Sequence, residues 1–247
     1  MATSSDPAAL YPDIAAKGSL GAALQAVAVK DSLSVPIVAS ESDPLGHAVV
    51  ASEAPHRNDL VISAWAVERR WSIRGCESFQ DMALIEGNTQ DLAQIARVAQ
   101  AWHAGTALSD MRQTASFAFL TGRFEVPDHD PVQLAESEWQ HLRAEAHERD
   151  WPEYQTLVEA AYNERALREL YPFTSHWTLR FSTSTRPHLT VIPMSLDAHR
   201  DTRYTVSAHY MGKVIAETTT AQEAVSTAVR YLPSGLGPVT SGAAPAA

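Results

Sequence analysis

The chain has 247 residues, 45% of them apolar, and 19 Lys and Arg against 29 Asp and Glu leave a net charge of −10. That is enough chain for a core in one large domain or two small ones, while the acidic balance and the scatter of its basic residues exclude the basic stripe that nucleic acid requires. No window approaches the roughly 20 apolar residues of a spanning helix, Met1 to Pro12 has neither the basic start nor the apolar core of an export signal, and the lone Cys76 excludes an internal disulfide, so a cytoplasmic protein without membrane association is expected.

In chain order, residues 1–12 read as a disordered tail, because small and polar residues bury too little surface to offset their ordering entropy. Asp13 caps a predicted helix through about Val29, interrupted by Gly18 and Gly21. Short β-branched runs at 35–38, 48–51, 60–67 and 71–74 predict a small antiparallel meander. Three helices follow. The first spans Asp91 to His103, with Leu92, Ile95, Ala96, Ala99 and Trp102 on one stripe, Thr89 as N-cap and Gly105 as stop. The second runs from Pro131 to about Arg149 and the third from Pro152 to about Leu170, where Pro152 suits a first turn because its missing N–H costs nothing there and Pro172 prevents the helix from running on.

The last third alternates with period two. Read as one strand, Phe173, Ser175, Trp177, Leu179 and Phe181 face one side and Thr174, His176, Thr178, Arg180 and Ser182 the other. Shorter runs at 188–192, 203–210 and 213–219 complete four strands, and Thr220 with Glu223 forms a capping box for a final helix. The expected fold is therefore α+β: an N-terminal helix and antiparallel meander, central helices, and a C-terminal four-stranded antiparallel sheet backed by a helix. Residues 13–170 and 171–240 form its two parts, packed as one unit, and 241–247 form a second disordered tail.

The polar side of the last sheet carries the most chemistry. If Arg203, Thr205, Ser207 and His209 join the face of Thr178 and Arg180, two guanidinium forks and two imidazoles gather among hydroxyl donors, a surface suited to a carboxylate or phosphate. The same alternation describes an ordinary solvated face. A second constellation pairs Arg123 with Glu125, either as a base held by an arginine or as a structural ion pair. Glu138-x-x-His141 matches half of a carboxylate-bridged di-iron pattern, His176, His188 and His209 are a minority reading as zinc ligands, and Cys76 is either a nucleophile or a small buried apolar group. No phosphate-cradling glycine loop or nucleophile elbow occurs.

Several stretches carry a resemblance. Trp71-Ser-Ile-Arg-Gly-Cys76, Ala101-Trp-His-Ala-Gly105, Leu120-Thr-Gly-Arg-Phe-Glu-Val-Pro-Asp128, Glu136-Ser-Glu-Trp-Gln-His-Leu-Arg143, the run from Leu170 to Thr183 and Tyr231-Leu-Pro-Ser-Gly-Leu-Gly-Pro238 resemble a domain-of-unknown-function family. Its members are labelled natural product biosynthesis proteins of high-GC filamentous bacteria. The resemblance runs from about Pro12 to Val239 and implies a setting in specialised metabolism, but it carries no reaction and no catalytic residue.

The expected function is a cofactor-independent tailoring or cyclising enzyme acting on an anionic or peptide-like intermediate. His176, His209, Glu125 and Tyr171 are its candidate catalytic groups, and Arg180, Arg203, Arg123 and Thr178 its candidate substrate-binding groups; no cofactor or metal is called for. The alternative is a non-catalytic protein that presents or sequesters such an intermediate, a precursor peptide or a biosynthetic partner enzyme.

Overall fold

The computed structural model describes residues 7–243, and contacts divide the chain into two compact units, Met1–Thr121 and Gly122–Ala247. The first unit begins with α1 (Pro7–Leu10), α2 (Pro12–Lys17) and α3 (Leu20–Lys30). Of the tail expected over 1–12, residues 1–6 lie outside the described residues, whereas Pro7–Leu10 is helical and Tyr11 is buried, its ring 5.6 Å from that of Trp71. The single helix expected from Asp13 is two. Gly18 takes φ +84° to close α2, a conformation that a Cβ would penalise, and the Ser19 side chain accepts the Ala22 N–H to start α3.

The meander consists of β1 (Val38–Ala39), β2 (His47–Val50), β3 (Leu60–Ala64), β4 (Trp71–Cys76), β5 (Ala83–Thr89) and β6 (Ala118–Leu120), antiparallel and in chain order. Two strands thus extend the expected four. The period-two rule holds along β3 and β4, where Leu60, Ile62, Trp71 and Ile73 are buried and Val61 and Arg74 are exposed. Against these strands lie α3 and α4 (Leu92–His103), with α5 (Leu108–Thr114) packed against α4 and β6. The cap of α4 is Asp91, whose carboxylate accepts the Ala93 N–H at 2.8 Å; Thr89, the expected cap, instead accepts the Asp91 N–H at 3.2 Å. Trp102, fully buried, donates its indole N–H to the Asn58 carbonyl at 3.0 Å.

The second unit contains α6 (Pro131–Glu148), α7 (Pro152–Asn163), α8 (Arg165–Arg168) and α9 (Ala221–Arg230) with β7 (Tyr171–Ser175), β8 (Thr178–Ser182), β9 (Ser184–Pro187), β10 (Val191–Ala198), β11 (Tyr204–Ser207), β12 (Val214–Thr218) and β13 (Thr240–Gly242). Five strands, not four, form the antiparallel sheet in the order β12-β11-β10-β8-β7, and β13 pairs in parallel with β9. The third central helix stops at Asn163, and Glu164 then caps the separate turn of α8. The central helices α6 and α7, read in sequence with the N-terminal part, share the second core: Trp139, Leu142, Leu157 and Val158 pack with Leu179, Phe181, Leu196 and Val206 of the sheet and Ala224, Val225 and Ala228 of α9. Thr220 caps α9 through the Glu223 N–H, as the capping box predicts.

Tyr154 of α7 lies inside this core with its hydroxyl buried and without a hydrogen-bond partner, edge-on to Trp177 at 5.6 Å. Burial pushes its phenol well above the ordinary tyrosine value. Removing an unsatisfied hydroxyl of unchanged shape removes a desolvation cost, so Tyr154→Phe is expected to be neutral or to stabilise by about 1 kcal/mol in urea unfolding at neutral pH. The folded phenol holds its proton above the pH at which the unfolded one loses it, so its contribution is complete below about pH 10 and is lost as pH rises beyond that. The wild type should therefore lose more stability than Tyr154→Phe above that pH, and identical slopes for the two proteins would contradict the assignment.

Candidate functional site

The run 173–182 is a hairpin, and this rearranges the faces predicted from one continuous strand. His176 and Trp177 form a two-residue turn with φ +52° and +70°, the positive values that a type I′ turn requires, and Ser175 pairs with Thr178 across it. Phe173 therefore lies opposite Arg180 on the same face, while Thr174 lies opposite Leu179 on the other. Register carries the polar face across the sheet: Arg180 faces Ser195, which faces Ser207, and Asp197 faces Thr205, which faces Glu217. Thr178, Arg180, Thr205 and Ser207 thus share a face as the sequence predicts, with Phe173 and Ser175 added.

Arg180 is the centre of this face. Its guanidinium carbon lies 5.0 Å from the Phe173 ring centroid and 5.3 Å from that of Tyr210. The Nε is buried without a hydrogen-bond partner, and among the described residues no carboxylate lies within ion-pair distance of the side chain. The two rings compensate part of the desolvation of the cation through their quadrupoles, but they leave the buried Nε–H donor unmet. Tyr210 reaches this position from the turn between β11 and β12, where His209 and Met211 take φ +69° and +55°. Its hydroxyl lies 2.9 Å from Nδ1 of His176, and the two rings stack at 6.3 Å and 15°. Arg180, Tyr210 and His176 are therefore one contiguous group.

The other candidates sit differently. The side chain of His209 is exposed, and its backbone carbonyl accepts the Ser195 hydroxyl at 3.1 Å. Thr178 is buried and donates its hydroxyl to Asp197. Arg203 is exposed and engaged by Asp201 at 2.8 Å and Glu217 at 3.5 Å; hydrogen bonding to Asp201 raises its pKa and lowers that of Asp201. Arg123 is buried in a bidentate pair with Glu138, at 2.7 and 2.9 Å, which also commits the glutamate of the half di-iron pattern. Glu125 is half-buried in the loop after β6. Tyr171 is fully buried in a small apolar cluster with Ala135, Phe173 and Val239.

Of the three histidines considered for zinc, His188 directs Nδ1 to the Gly242 carbonyl at 2.9 Å, and among the described residues no group of three His, Cys, Asp or Glu side chains is placed to hold a metal ion. Burial raises the thiol pKa of Cys76, although Arg74 opposes the shift from 3.4 Å, so the thiol is a poor nucleophile near neutral pH. Tyr210 is the residue that sequence reasoning missed, because a turn residue has no periodicity to reveal which face it covers.

Residues 133–243, which lie entirely within the second unit, match the model of a family of unknown function, DUF6193. Neither a curated protein nor a solved structure matches the chain. No helix among the described residues is long and apolar enough to cross a membrane.

Proposed function

We propose that the C-terminal unit binds the carboxylate of a small or peptide-like intermediate at Arg180. The observation that supports this reading best is a half-buried guanidinium that lies over two rings and has no acidic partner among the described residues. An arriving carboxylate supplies the hydrogen-bond acceptors that the sheet leaves out, and a charge-assisted pair in a partly desolvated place is stronger than one in open water. Tyr210 lies over the cation as a cover. Together with the resemblance noted in the sequence, this favours a binding or accessory role in specialised metabolism, in which an intermediate is held for a partner enzyme.

The His176–Tyr210 hydrogen bond supports a second reading, in which the same carboxylate is held while the imidazole moves a proton in a cofactor-independent tailoring or cyclising step. Calorimetry with N-acetylglycine as a peptide-like carboxylate and inorganic phosphate as an anion control tests the first reading. Arg180→Ala is expected to weaken N-acetylglycine binding by about tenfold or more, the scale of a lost charge-assisted hydrogen bond. Unchanged affinity rejects the role of Arg180. His176→Ala separates the two readings, since a binding protein loses affinity and turns nothing over, whereas an enzyme loses turnover of its substrate with binding largely intact.

A further inference from the structure

A second concave site lies elsewhere in the same unit, walled by the first turns of α6, the end of α7, α8 and the segment leading into β13, and it encloses about 350 Å³. That volume suits a small metabolite. Its floor is Tyr162, whose ring packs edge-on to Trp139 at 5.7 Å and lies under the guanidinium of Arg143 at 4.3 Å. The Tyr162 hydroxyl donates to Oε1 of Glu136 at 2.7 Å, and Gln140 donates to the same oxygen at 2.6 Å.

Both donors converge on one oxygen, so the other carboxylate oxygen of Glu136 has no hydrogen-bond partner among the described residues. Nor does Glu136 have an ion-pair partner among the described residues; the nearby Arg143 is committed to Glu159 by two bonds of 2.7 and 3.0 Å. Across the Tyr162 ring, the guanidinium carbon of Arg168 stands 5.6 Å from the centroid, and this side chain too makes no ion pair among the described residues. Glu169, also in the wall, is taken by Arg165 at 2.7 Å. One cavity thus presents a carboxylate with one oxygen open and a guanidinium, neither of them in an ion pair among the described residues. Beside them, Val132, Ala135 and Val239 supply an apolar wall.

We propose that this cavity binds a free α-amino acid, its ammonium on Glu136, its carboxylate on Arg168 and its side chain against the apolar wall. A purely anionic ligand meets Glu136 and a purely cationic one meets Arg168, so only a molecule carrying both charges satisfies both groups. Each charge then gains a charge-assisted hydrogen bond, Glu136 at a half-buried position and Arg168 at an exposed one. The site is independent of the Arg180 reading.

The test is calorimetry on the full chain with L-leucine, L-phenylalanine and L-lysine as probes, together with two cut-down forms of leucine: 4-methylpentanoate, which lacks the amino group, and 3-methylbutylamine, which lacks the carboxylate. Saturable binding of at least one amino acid is expected, with each cut-down form of leucine at least about tenfold weaker than leucine. Glu136→Gln, which keeps an acceptor for Tyr162, and Arg168→Gln, at an exposed side chain, are each expected to weaken the amino acid by a similar factor, and to do so equally in an Arg180→Ala background, where the carboxylate site on the sheet face is gone. Absence of binding by all three amino acids, equal binding of the cut-down forms, or wild-type affinity in Glu136→Gln and Arg168→Gln overturns the proposal. Glu136→Gln has a readout independent of ligand: the hydrogen bond to this carboxylate holds the Tyr162 phenol above its ordinary range, so the variant should bring its titration, followed by NMR, back down.

Discussion

Arg123→Ala is expected to destabilise the C-terminal unit by about 3–5 kcal/mol, the cost of leaving a buried carboxylate without its counter-charge. The pair is nearly sealed, with side-chain exposures of 8% for Arg123 and 5% for Glu138, and its fork geometry satisfies both carboxylate oxygens. The neighbouring contacts share the load, since Ser137 accepts the Phe124 N–H at 3.0 Å and donates to the Phe124 carbonyl at 2.9 Å, pinning the loop after β6 to α6. Hydrogen exchange read by mass spectrometry should show faster exchange in the 122–145 segment of Arg123→Ala. The double change Arg123→Met with Glu138→Leu, which removes both charges and keeps most of the volume, should recover most of the loss. A double variant as unstable as the single one would mean that the pair is not held by charge compensation.

The second large effect belongs to the first unit. Trp102→Ala should cost about 3–5 kcal/mol, combining lost transfer energy with the cavity left behind. The ring packs onto a gap in β4 created by Gly75, where a methyl carbon would stand 2.6 Å from Cη2 and Cζ3 of the indole and 2.9 Å from Cγ2 of Ile85. Gly75→Ala alone should therefore also destabilise, by about 1–3 kcal/mol, because a rigid ring cannot retreat from it. Combined with Trp102→Ala, the same methyl no longer meets the ring, so the two losses should be clearly less than additive in a urea-unfolding cycle. Simple additivity would show that the glycine and the tryptophan do not share this contact.

What the sequence disclosed depended on which signal each element carried. Helices with explicit punctuation were legible: Pro131 and Pro152 open α6 and α7, and Thr220 opens α9. The hairpin at His176 and Trp177 was not. Neither residue is the glycine or asparagine that announces positive φ, and an alternating run continues through the turn without a break. Missing it exchanged the faces of Thr174 and Phe173 and hid the aromatic partner of Arg180. Thr178 with Arg180, and Thr205 with Ser207, were each legible because parity within β8 or within β11 needs no knowledge of the turn, whereas the face that the two pairs share follows from their register with β10. The cavity floored by Tyr162 was invisible for another reason: its walls come from segments about 100 residues apart, and no local pattern registers that meeting.

The parallel pairing of β13 with β9 has a bearing on synthesis at the ribosome. All six strands of the first unit have emerged once Leu120 is outside the exit tunnel, so that unit can complete itself on the nascent chain. The later unit has no such opportunity: Ser184–Pro187 must wait for Thr240–Gly242, and the Val239 N–H reaches the Glu169 carbonyl only when the same stretch arrives. A chain stalled between these points displays a finished front half and a rear half whose last edge is open, so translation order itself separates the two folding events.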